Sequence, residues 1–282
     1  MNNRVEWIDS YKGILILLVL ILHVLYYSDY KGLGYDQLLV RPFQDMRMPA
    51  FFFISGFLLS KKYTDFQGFF AHRFRQIVVP YFYFFLVNYF FWIFFTRDAD
   101  QSSLSLIEPF IGMIKGKLEM TPGGSWTLLT AFPLWFVTTL FIAEMYFFAV
   151  KKISKNNTQM LLILAILAPV GFTLSFLLNH YDFRPWWNLD IAITATVFYG
   201  LGYFVKTNNL ISKIDISNDS LKVPIIILLF AISISASLYS GSAIWAGKFG
   251  NPVSYYIGAF SGILALIFFV QFTLIGKNNS PR

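Results

Sequence analysis

The sequence predicts an all-α fold, a polytopic integral membrane helical bundle of about eight transmembrane helices. Three observations predict it. Hydrophobic residues make up 56% of the 282 positions and charged residues 13%, where a soluble domain carries about a quarter charged residues. So few charges cannot cover a water-facing surface. Apolar runs recur along the chain at lengths near the ~17–25 residues that a spanning helix needs. The lysines and arginines sit in the gaps between those runs.

The spans are placed in order at 11–27, 43–60, 77–95, 128–150, 160–178, 190–205, 222–239 and 253–275. No small-residue cleavage site follows the run from Gly13 to Tyr27, so the first reads as a retained span and not a signal peptide. The second is short, and Phe51-Phe52-Phe53 fits a packed or lipid-facing helix. Pro49 and Pro80 are expected near span starts, where proline is tolerated. The sixth span is also short; Gly200 and Gly202 would allow close helix approach there, as would the Gly258/Gly262 GxxxG pair in the eighth. Between the third and fourth spans, 96–127 forms the longest outside loop. Its amphipathic stretch Leu104 to Lys117 has two open readings, a helix lying on the membrane surface or a plain extracellular helix.

Orientation follows from the basic residues. With the N-terminus in the cytoplasm, the inside segments hold fourteen of them: Arg4, Lys12, Lys61, Lys62, Arg73, Arg75, Lys151, Lys152, Lys155, Lys206, Lys213, Lys222, Lys277 and Arg282. The outside segments hold eight, spread over more loop. The expected location is the cell inner (plasma) membrane. Residues 1–282 read as one membrane-embedded domain without a fused soluble part or an internal repeat.

Composition also excludes chemistries. The chain has no cysteine, so disulfides and thiolate metal sites are out. His23, His72 and His180 are too scattered for a metal cluster, and no metal is expected. The net charge of +7 does not indicate nucleic acid, because the basic residues alternate with apolar spans and do not line one polar face.

Ionisable residues within spans cost about 2.5–3.5 kcal/mol each on insertion scales and are functional candidates. His23 ends the run Ile14 to Leu22. Lys12 lies eleven residues earlier, about three whole turns, so both side chains share one face about 16 Å apart along the axis. Asp9 is close to the same stripe. The plainer readings are a helix N-cap for Asp9, an ordinary inside flank for Lys12, and an interfacial histidine for His23. Ser55-Gly56 lies within a span, where a hydroxyl and bare backbone serve either a ligand or helix packing. His72-Arg73-Phe74-Arg75 is the densest inside basic cluster. It serves either topology and anionic lipid or a phosphate clamp, to which the planar guanidinium is suited. Glu144 is a carboxylate within the fourth span. Asn188 and Asp190 open the sixth after Trp186-Trp187, where Asp190 also fits a first-turn acid and the tryptophans an interfacial belt.

Together these pieces resemble the membrane-bound acyltransferase 3 family, within it the fucose 4-O-acetylase-like branch. The resemblance runs through Trp7-Ile8-Asp9-Ser10-Tyr11-Lys12-Gly13 with His23, then Met48 to Phe57, then Arg73 to Pro80-Tyr81. It continues at Leu134-Trp135-Phe136, Asn188-Leu189-Asp190 and Gly200-Leu201-Gly202-Tyr203. It covers nearly the whole chain, and its first two motifs are the specific ones. It implies transfer of an acetyl group from cytoplasmic acetyl-CoA to a hydroxyl of a glycan or lipid-linked sugar of the cell envelope. By the same resemblance His23 is the essential histidine and Lys12 its basic partner. Arg73 matches the first arginine of a paired motif. Gln76 stands where the second is expected, with Arg75 as its substitute, and Arg47 stands where close relatives often carry histidine. Family members usually continue through about two more spans, so the resemblance implies that the last spans are lacking here. On this scheme Lys12, Arg73 and Arg75 face the CoA phosphates, Asp9 orients Lys12, and Ser55-Gly56 supplies oxyanion donors. Glu144, Asn188 and Asp190 are supporting residues. The rival expectations are a transporter or flippase of a lipid-linked sugar, which would need polar residues lining several spans, and a non-catalytic membrane scaffold.

Overall fold

The computed structural model describes residues 6–27, 40–60, 65–97, 106–116, 133–213 and 219–275. Among them the regular structure is helical, with no strand. The elements are α1 (Glu6–Tyr27), α2 (Gln44–Phe57), α3 (Phe66–Arg73), α4 (Val79–Phe91), α5 (Glu108–Lys115), α6 (Trp135–Ile153), α7 (Asn157–His180), α8 (Leu189–Thr207), α9 (Asp219–Ser240) and α10 (Pro252–Phe269). Among the described residues, six helices are long and apolar enough to cross a membrane: Trp7–Leu25, Phe66–Phe95, Asn157–His180, Trp186–Thr207, Ser220–Ser240 and Pro252–Phe272. The other two expected spans fall on α2 and α6. At 14 residues, α2 is about 21 Å long, short of a ~30 Å hydrocarbon core. α6 has the length but carries Glu144, Lys151 and Lys152. It begins at Trp135, seven residues after the expected start; 128–132 lie outside the described residues.

The third expected span is longer than its apolar run, because α3 and α4 form one helical rod from Phe66 through the π-turns at Phe74–Val78 and Trp92–Thr96. Pro80 explains the first π-turn. It has no N–H, and its ring would crowd the carbonyl one turn back. The Val79 N–H instead reaches five residues back to Phe74, which widens the helix just before the proline. Pro49, by contrast, sits inside α2, beyond its first turn.

The chain divides into two compact units: residues 1–58, 198–243 and 249–282 in one, and 59–197 and 244–248 in the other. In the first, α10 packs against α9 and α2, and α1 against α2. Lipid tails are as apolar as leucine, so helices in a bilayer associate through close backbone packing and hydrogen bonds. Both are present. A Cβ at Gly56 would overlap the backbone carbonyl of Tyr199, and one at Gly202 would overlap that of Phe53, so α2 and the C-terminal part of α8 touch backbone to backbone. Gly262 in the same way leaves room for Met46 and Ser233. Ser233 Oγ donates to the Gly258 carbonyl at 2.7 Å, and Ser254 Oγ to that of Ala236 at 2.7 Å. On α1, Tyr11, Leu15 and Leu22 are buried, while Ile16, Leu17, Leu20, Ile21 and Val24 are exposed, as a lipid-facing arc would be.

In the second unit, Phe85, Tyr89 and Trp92 of the long rod form one core cluster with Phe110 and Met113 of α5. Ile77, Val78 and Phe141 form another. α7 approaches α8 where Gly171 meets Thr194, and Ser175 Oγ donates to Asp190 3.2 Å away.

Candidate active site

The helix α1 is unbroken across both of its candidate residues, so Lys12 and His23 lie on one flank of it. Both are half-buried, at the border between the buried stripe of Tyr11, Leu15 and Leu22 and the exposed arc. His23 Nδ1 lies 2.7 Å from the carbonyl oxygen of Val19, one turn back. A carbonyl only accepts, so Nδ1 carries the proton, and the lone pair of the neutral ring is on Nε2. Asp9 is exposed and lies inside α1, not ahead of it. It is an acid near the positive end of the helix dipole, which replaces the N-cap reading.

Ser55 and Gly56 serve packing in this structure. Ser55 Oγ donates to the Phe51 carbonyl at 2.8 Å. Gly56 lies within α2, where helical hydrogen bonding occupies the amides, and its bare Cα admits Tyr199.

The second unit places Arg73 at the end of α3 against Glu144 of α6. The Arg73 Nε and Nη2 groups grip the two carboxylate oxygens in a fork, and Nη1 donates to Gln76 Oε1 at 2.8 Å. Glu144 is fully buried, while the Arg73 side chain is 21% exposed. The glutamine at the position of the expected second arginine therefore holds the first one. Arg75, inside the π-turn, is exposed; the chain turns one cation of the basic cluster inward onto a carboxylate and the next one outward.

Asn188 and Asp190 bind helices together. Trp187 and Asn188 are consecutive left-handed residues, at φ 56° and 53°, a conformation that costs non-glycine residues energy. The corner aims Asn188 Nδ2 at the Thr139 hydroxyl 3.1 Å away and near the Gly116 and Trp135 carbonyls. Asp190 meets Ser175 of α7.

A further buried acid was not singled out in the sequence. Asp45, in the first turn of α2, is fully buried and accepts from Ser242 Oγ. Gly258 of α10 lies against it, with Ser237 Oγ beside the same glycine, and Gln44 donates to the Ser242 carbonyl. The available signal was the serine row Ser233, Ser237 and Ser240, which repeats at helical spacing on α9.

The family model described as an acyltransferase domain, of the acyltransferase 3 family, matches residues 5–282. No curated protein and no solved structure matches the chain.

Proposed function

Because the chain belongs to the acyltransferase 3 family and is a multi-pass membrane acyltransferase, we propose that it moves an acetyl group from cytoplasmic acetyl-CoA to a sugar hydroxyl of a cell-envelope or exported polysaccharide or its lipid-linked precursor. The observation that carries this reading is the α1 flank. It holds an imidazole whose Nδ1 is bound to the Val19 carbonyl, which leaves the lone pair on Nε2 whenever the ring is neutral, with a lysine about three turns toward the N-terminus.

Acyl transfer to a hydroxyl needs a base, support for the developing oxyanion and a cationic hold on the donor. His23 Nε2 takes the acceptor hydroxyl proton as that oxygen attacks the thioester carbonyl. The new C–O bond forms, the C–S bond breaks, and the CoA thiolate leaves with the proton that His23 returns. An acetyl-histidine intermediate is the two-step variant of the same scheme. Lys12 and Arg75 face the CoA phosphates from the cytoplasmic side, and Asp9 orients Lys12. Arg73 contributes through its ion pair with Glu144. A transferable proton held within the membrane suits a donor on one side and an acceptor glycan on the other.

The test is proton NMR of the host glycan with the intact gene and with His23→Ala, alongside release of free CoA from acetyl-CoA by the purified protein. O-acetyl signals lost together with CoA release are expected. A glycan equally acetylated without the gene defeats the proposal. Movement of a lipid-linked sugar across vesicles without CoA release would favour a flippase instead.

A further inference from the structure

We propose that α5 is an interfacial anchor helix, whose Ile107, Ile111 and Ile114 face contacts the acyl chains of the bilayer. This goes beyond the acyl-transfer reading and does not depend on it.

Two independent observations carry the proposal. The first is the distribution of exposure. Pro109 and Gly112 of α5 are buried, and Phe110 and Met113 pack against Phe85, Tyr89 and Trp92; the Phe110 ring is 4.5 Å from that of Tyr89. The opposite face is apolar as well. Ile107, Ile111 and Ile114 follow one another at i, i+4 and i+7 and are 67%, 43% and 54% exposed. A helix apolar on both faces, with one face open, suits a hydrocarbon solvent. The long apolar rod that α5 packs on likewise leaves Phe90, Phe91, Phe94 and Phe95 exposed.

The second is how the helix backbone is satisfied. In water, the last carbonyls of a helix bond to solvent. In lipid they must find partners in the protein. Tyr81 Oη donates to the Met113 carbonyl at 2.7 Å and Trp187 Nε1 to that of Ile114 at 2.8 Å. Thr138 Oγ1 donates to that of Gly116 at 2.8 Å. Just ahead of the helix, Tyr89 Oη donates to the Leu106 carbonyl at 3.0 Å. Tyr89 and Tyr81 lie eight residues apart on the rod, about 12 Å, so α5 runs antiparallel along it for that distance. Gly116, at φ 60°, stops the helix. Glu108 and Lys115 mark its two ends.

The chain has no cysteine, so single cysteines can be labelled without background. Ile107→Cys, Ile111→Cys and Ile114→Cys, each in the full chain with a nitroxide, are placed in phosphatidylethanolamine/phosphatidylglycerol vesicles. Collisions with oxygen are expected to exceed collisions with a water-soluble nickel chelate at all three sites, and to fall below them at a Lys155→Cys control. Preferential nickel contact would make α5 a water-facing helix and overturn the proposal. Low collision rates with both reagents would show a protein-covered face, from a second copy or another partner, and overturn it equally. As a second measurement, Ile111→Lys is expected to lower the folded fraction in membranes where Ile111→Leu does not; equal folding of the two variants counts against lipid contact.

Discussion

Arg73 holds Glu144 through both carboxylate oxygens, and its remaining terminal nitrogen donates to Gln76. The three side chains come from α3, the π-turn and α6, so the pair ties the long rod to α6. Removing one partner from a buried pair leaves an uncompensated charge and costs about 3–5 kcal/mol, whereas replacing both by apolar groups is often neutral or stabilising. Arg73→Met should therefore lower the thermal midpoint of the detergent-solubilised protein sharply, and Arg73→Met/Glu144→Leu should recover most of it. If the double variant is as unstable as the single one, the pair is not what fixes the two helices.

The reciprocal glycines make a second expectation. Gly202→Leu should separate α2 from α8, because its Cβ would meet the Phe53 carbonyl, and backbone cannot yield as a flexible side chain can. Overpacking of this kind costs about 1–3 kcal/mol and sometimes more. Ser55→Ala removes one hydroxyl that bonds its own helix and should cost under about 1 kcal/mol. Unfolding in denaturant reads both; a larger effect at Ser55 than at Gly202 would reverse the packing assignment.

These contacts mark where the sequence was readable and where it was not. Apolar runs located α1, α7, α9 and α10 to within a few residues of their ends at most positions, since length and hydropathy alone specify a spanning helix. The rod from Phe66 was read short. His72, Arg73, Arg75 and Gln76 interrupt its apolar run, and nothing local says that Glu144, 71 residues away, accepts Arg73. Nothing near Asp45 marks it either, and the serine row on α9 is the signal for its site. One acid beside a basic residue looks like an ordinary flank until Ser242, 197 residues on, is brought against it. Lys12 and His23 were legible because their relationship is carried by helical spacing within one element. The supporting roles expected of Glu144, Asn188 and Asp190 were legible as polar groups in apolar surroundings, but their partners were not.

The Asp45–Ser242 contact offers a third expectation. Ser242→Ala should strip a donor from a fully buried carboxylate, at a cost of about 1–3 kcal/mol. Asp45→Asn keeps an acceptor for that hydroxyl and should cost less than Asp45→Ala. Thermal unfolding of the three variants in detergent orders them; if Asp45→Ala proves the mildest, the carboxylate is not tying α2 to the end of α9.

The catalytic assignments separate by which kinetic constant moves. A general base contributes typically 10²–10⁴-fold, so His23→Ala should lower kcat by roughly that factor with a wild-type melting profile. Asparagine and glutamine place a polar atom near the Nδ1 and Nε2 positions respectively but cannot take a proton, so His23→Asn and His23→Gln should be as inactive as His23→Ala. Lys12→Met and Arg75→Gln, which leave the base in place, should raise KM for acetyl-CoA. That effect should vanish with acetyl-pantetheine, which lacks the nucleotide phosphates for them to hold. Arg73→Gln is different in kind, because Arg73 already neutralises Glu144, and its loss should appear first as instability. Should Lys12→Met weaken both donors alike, the lysine acts on the acyl end and not on a phosphate. Should His23→Gln retain turnover, proton transfer belongs to another group, and the α1 flank would serve only to bind.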